Sequence, residues 1–131
     1  MNKQYAQMLQ LIGGSIINIS KVISPKINNG GLVLNKQEYM DNITECIISG
    51  YNTIININNS KILDSEFFIL LSAYRKLLVC LEDLLQNIES TITNIKIQDL
   101  SKSFSNIREI ESDLNLAIIQ IMNKKLSENW S

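Results

Sequence analysis

The sequence predicts an all-α fold, an antiparallel four-helix bundle in a single helical domain spanning residues 1–131, on three observations. The strongest is a stripe of apolar residues, Phe67, Leu71, Tyr74, Leu78, Leu81, Leu85, Ile88, Ile92 and Ile95, spaced 4-3-4-3-4-3-4-3 without a miss. The second is the same rhythm in Tyr5, Leu9, Ile12, Ile16, Ile19 and Ile23. The third is that only one stretch, SPKINNGGLVLN at 24–35, is clearly irregular, so the helices join through short connections.

The first helix ends at Pro25, because the residue before a proline is pushed out of helical geometry. Gly13 and Gly14 weaken it by about 1 kcal/mol each relative to alanine, unless a neighbouring helix approaches closely there. Residues 24–35 form either a short β-ribbon around the Asn29-Gly30 turn or an ordered loop, since a lone hairpin is marginal. Asn35 opens the second helix as a side-chain cap with Glu38 three residues on. Met40, Ile43, Ile47, Ile54 and Ile57 carry its seam with Gly50, and Ile48, Tyr51 and Ile55 widen the face. Near its end TIININN alternates and is rich in β-branched residues, which gives 53–58 some strand character.

Asp64 or Ser65 caps the third helix, and Leu70, Leu77 and Leu84 broaden its stripe to the three-in-seven face of a bundle helix. A break follows in IKIQDLSKS, with Asp99 or Ser101 as the next cap. The fourth helix presents Phe104, Ile107, Ile110, Leu114, Ala117, Ile118 and Ile121, with Lys124 and Lys125 favouring its negative end. Trp130 either folds back on the bundle or stays exposed.

Composition narrows the function classes. The 12 basic and 13 acidic residues are scattered, and Lys124-Lys125 is the closest approach to a basic cluster, which disfavours nucleic-acid binding. Gln7, Gln10, Ser15 and Asn18 interrupt the first helix, so it reads as amphipathic rather than as a leader or a span. Arg75-Lys76 and Glu82-Asp83 cut the richest apolar window below the ~18 residues a membrane span needs. Cys46 and Cys80, without CxxC spacing, read as reduced thiols of a cytoplasmic protein. The 23 isoleucines and 16 asparagines point to A/T-rich codons, hence a low-G+C source such as a bacterium or phage, for which this would be an accessory protein.

No catalytic, cofactor or metal residue is predicted. A Ser or Cys nucleophile needs a positioned base, usually histidine, and the chain has none. Gly30-Gly31 lacks phosphate-loop context and reads as turn, while Gly13, Gly14 and Gly50 read as helix–helix contact points. Arg75 and Arg108 read as snorkelling side chains on amphipathic helices. Glu38, Asp41 and Glu45 share one helix face, the pattern that holds Mg²⁺ in some all-α hydrolases, but no second acidic pair faces them in sequence. A metal-dependent hydrolase using that face is therefore the alternative, as is a peripheral membrane protein anchored by its first helix.

The sharpest feature lies in FFILLSAYRKLLVCL, residues 67–81. Opposite the stripe this helix carries Phe68, Ile69, Ala73, Val79 and Cys80, whereas from residue 82 the same side becomes Glu82, Asp83, Gln86, Asn87 and Glu89. A helix apolar all round is buried all round or meets a second molecule. The predicted interface is Phe68, Ile69, Ala73, Lys76, Val79 and Cys80, most simply in a homodimer. The predicted function is a non-catalytic interaction module: an adaptor, inhibitor, chaperone, immunity protein or small subunit of an assembly.

Overall fold

The structure, a computed structural model, describes residues 3–60, 64–91 and 95–130, the side chains of the last helix as far as Lys124. These residues form four α-helices: α1 (Lys3–Ile23), α2 (Lys36–Asn59), α3 (Ser65–Glu89) and α4 (Ser101–Trp130). Each packs against its neighbours in a closed ring, α1 on α2, α2 on α3, α3 on α4 and α4 on α1. Pairings fix the directions. Glu66 meets Lys124 and Asn87 meets Ser103, so α3 and α4 run antiparallel. Across the diagonal, Tyr5 sets its ring edge-on to Phe67 with centroids 4.9 Å apart, and Ser15 bonds the Tyr74 hydroxyl. The arrangement is an antiparallel four-helix bundle around one core.

The α1 stripe is buried in full, Tyr5 through Ile23, as its spacing requires. In α3 the stripe, except half-buried Leu85, is buried together with its flank, including Leu70, Leu77, Leu78, Leu81 and Leu84. Asp64 caps it: its carboxylate accepts the Phe67 amide at 2.8 Å. The stripe, however, outruns the helix. α3 ends at Glu89, and Ile95 reaches the core from an extended segment, with Ile92 outside the described residues. Apolar spacing reports burial, and here burial continues after the helix has stopped.

In α2 the buried seam is Tyr39, Ile43, Cys46, Gly50, Ile54 and Ile57. Ile43, Gly50, Ile54 and Ile57 lie in it as the spacing requires, but Tyr39 and Cys46 replace Met40 and Ile47, which fall on the flank, and Ile48 and Ile55 face solvent. Tyr39 anchors that register by donating from its hydroxyl to the Ile23 carbonyl at 2.7 Å. Residues 53–58 are helical, so the β-branched run does not form a strand. Gly50 is a genuine contact point, since a Cβ there would lie 2.5 Å from a Leu78 methyl. Gly13 and Gly14 are not, because a Cβ on either meets nothing within 4 Å.

Asn35 does not cap α2 with its side chain. Its backbone is left-handed (φ 50°, ψ 63°), a conformation Asn tolerates, and its carbonyl accepts the Tyr39 amide at 3.0 Å. Residues 24–35 form a tight turn with single bridges rather than a named strand. Ile27 pairs with Val33, and Leu32 pairs with Lys96 across the bundle end. The Val33 amide bonds the Ile95 carbonyl at 2.8 Å and the Ile97 amide bonds the Gly31 carbonyl at 2.9 Å, so the two connections pin each other. A 3₁₀ turn, Ile97–Leu100, then feeds α4, and Ser101 donates back to Gln98 instead of capping forward. The side chains of Lys125 and Trp130 lie outside the described residues.

Candidate docking face

α3 projects its first half between α2 and α4, and the ring geometry leaves one flank without a neighbour among the described residues. On that flank Phe68 is 50% exposed, Ile69 69% and Val79 43%, with Lys76 exposed and Ala73 and Cys80 half-buried. Phe68, Lys76, Val79 and Cys80 line one shallow trough of ≈ 730 Å³ with Ile54 and Asn58 of α2 and Ile110 of α4. Ile69 lines the adjoining groove of ≈ 300 Å³ between α3 and α4, beside Ala117 and Ile121. Ala73 lines neither and packs against the core. From residue 83 the exposed positions are Asp83, Gln86, Asn87 and Glu89, while Glu82 is half-buried beside Tyr51.

Charge is uneven along this surface. Arg75 and Lys76 both line the trough, no carboxylate does, and neither forms a salt bridge among the described residues. At the end of the adjoining groove Glu66 pairs with Lys124, leaving the second Glu66 oxygen buried without a hydrogen-bond partner among the described residues. Ile48 and Ile55 are also exposed, on one face of α2 with half-buried Tyr51 between them, and Leu11 is exposed on α1. Leu116, Ile119 and Met122 make a second row on α4, interspersed with Asn115, Gln120 and Asn123.

The polar groups elsewhere are buried rather than activated. Burial pushes both thiols up, Cys46 with help from Glu45 and Cys80 with help from Asp83, so both stay protonated at neutral pH. Burial likewise raises the Tyr39 and Tyr74 hydroxyls. Asp41 accepts from Gln37 at 2.8 Å, and Glu38 lines a surface groove beside Lys21 and Lys26. Among the described residues no group of three Asp, Glu, Cys or His side chains is gathered to hold a metal ion. No helix of the described residues is long and apolar enough to cross a membrane.

One constellation escaped the sequence reading. Glu111 is 5% exposed and occupies the buried seam Ile107, Glu111, Leu114, Ile118 and Ile121 of α4. One of its oxygens accepts from Arg108 at 3.2 Å and the other is buried without a partner among the described residues. Arg108 also donates to Ser20 at 2.6 Å and Ser24 at 3.0 Å, tying α4 to the end of α1. Burial raises the Glu111 carboxyl above the ordinary carboxylate range, with Arg108 opposing. The signal was available: continuing the 4-3 spacing from Ile107 lands on Glu111, whereas the apolar residues alone suggest Ile110. Comparison with family models, with curated proteins and with solved structures finds no match to this chain.

Proposed function

We propose that the chain is a non-catalytic helical interaction module that docks another polypeptide on the outer flank of α3. The observation that carries this reading is the exposure of Phe68, Ile69 and Val79 on a helix whose opposite side is the centre of the core. Covering the exposed half of each side chain would contribute about 1 kcal/mol apiece, enough to anchor a helix-on-helix contact together with its polar rim. The trough and the adjoining groove give a partner side chain somewhere to seat. The module would act in a cytoplasmic setting as an adaptor, inhibitor, chaperone, immunity protein or assembly subunit.

A second copy of the chain or a different protein would each satisfy the apolar part of this face. The charges on it separate the two. The test of the shared reading is an Asp substitution at Ile69 or Val79, followed by sedimentation and partner-binding assays. A soluble, folded variant that has lost association is the expected result, and unchanged association by both variants overturns the reading.

A further inference from the structure

We propose, building on that docking reading, that the occupant of the α3 face is an acidic amphipathic helix of another protein rather than a second copy of this chain. Register and charge separate the two occupants. The apolar strip runs from Phe68 to Cys80, with Arg75 and Lys76 inside it and no carboxylate lining the trough. A twofold pairing of antiparallel α3 helices that covers the strip must centre near Tyr74. It then sets Ile69 against Val79 of the second copy, and Phe68 against Cys80. The same register sets Lys76 against Ser72 and Arg75 against Ala73, so four cations gather within about one helical turn of each other.

Sliding the copies until Arg75 and Lys76 meet Asp83 and Glu82 moves the centre to Val79, a shift of roughly 15 Å between helices. Phe68 and Ile69 then face Ser90 and Glu89, and the apolar end goes uncovered. A twofold axis parallel to α3 pairs each residue with itself and again stacks the cations. No symmetric pairing of α3 with α3 both covers the apolar strip and answers its charge. A foreign helix with one apolar stripe and two carboxylates a turn apart beside it does both, because like charges across an interface disfavour the wrong partner and opposite ones set the register.

The experiment measures fluorescence anisotropy with labelled helical peptides about 20 residues long. They share one Leu/Ile stripe and differ only in a flanking pair, Glu/Glu, Gln/Gln or Lys/Lys. The full chain is expected to bind the Glu/Glu peptide most tightly, with affinity falling as salt rises. The Arg75→Gln, Lys76→Gln double variant should lower that affinity roughly five- to tenfold, and Ile69→Asp should abolish binding. Equal affinity for all three peptides overturns the acidic partner but leaves the docking face standing. So does a dimer of the chain alone, at concentrations on the order of tens of micromolar, that Ile69→Asp dissolves. If no peptide binds and the chain is monomeric, both the proposal and the docking reading fall. Binding that survives Ile69→Asp overturns both as well, since it occurs elsewhere.

Discussion

The two halves of α3 have the same inner face and opposite outer ones. Inside, Leu70, Leu77 and Leu84 recur every seven residues and are all but inaccessible. Outside, the first half shows Phe68, Ile69 and Val79 while the second shows Asp83, Gln86 and Glu89. Bundle packing needs only the inner face, so it explains the leucines and is indifferent to the outer residues. The second half has the surface a helix needs in water. The apolar outer residues of the first half have no use inside the fold, which is why they bear on what the fold is for.

The largest contrast is between faces. Leu77→Ala should cost about 2–5 kcal/mol by opening a cavity in the core, whereas Val79→Ala two residues on should stay within about 0.5 kcal/mol. Equilibrium denaturation of both variants checks this, and comparable losses would erase the distinction between the faces. A smaller effect of mixed sign concerns the inner contact with α2. Gly50→Ala drives a methyl into Leu78, which is fully buried and has little room to move, so a loss of about 1–3 kcal/mol is expected. Gly14→Ala, in open space, should instead gain about 0.5–1 kcal/mol from helix propensity, and thermal melts would show the opposite shifts.

Next comes the start of α3. Asp64→Ala removes the carboxylate that accepts the Phe67 amide and should cost about 1 kcal/mol. A larger loss would mean that the cap also sets the position of the exposed α3 flank. The last effect is a pH slope set by Glu111. Its folded-state pKa is raised by burial, so the folded chain holds that proton more tightly than the unfolded one. Stability therefore falls as pH rises from the ordinary carboxylate range through the raised value, and the penalty is absent below that range. Glu111→Gln should be more stable than the parent chain at neutral pH, with the difference shrinking in acid. Stability curves at several pH values read this directly.

Much of the fold was legible because burial imposes its own spacing. The stripes of α1 and α3 name their core residues, and the Asp64 cap follows from its place before an apolar run. Three features were not legible, each for a physical reason. In α2 the seam passes through Tyr39 and Cys46 rather than their neighbours Met40 and Ile47, and the Tyr39 hydroxyl is held by the Ile23 carbonyl, a contact distant in sequence. Asn35 entered a left-handed turn, which no pattern of neighbours specifies. The bridge from Leu32 to Lys96 joins two connections separated by two helices. The exposure of Phe68, Ile69 and Val79 was legible because a change of polarity along a single helix face is local, whereas Glu111 was hidden by the apolar residues beside it.

The most direct test of the account is the unfolding free energy of Ile69→Asp, measured at a concentration where the chain is monomeric. An outer face reserved for a partner predicts a value within about 0.5 kcal/mol of the parent chain, since a charge placed on a side chain 69% exposed stays in water. A loss of several kcal/mol would place Ile69 in the core and contradict the claim that α3 keeps one flank for another molecule.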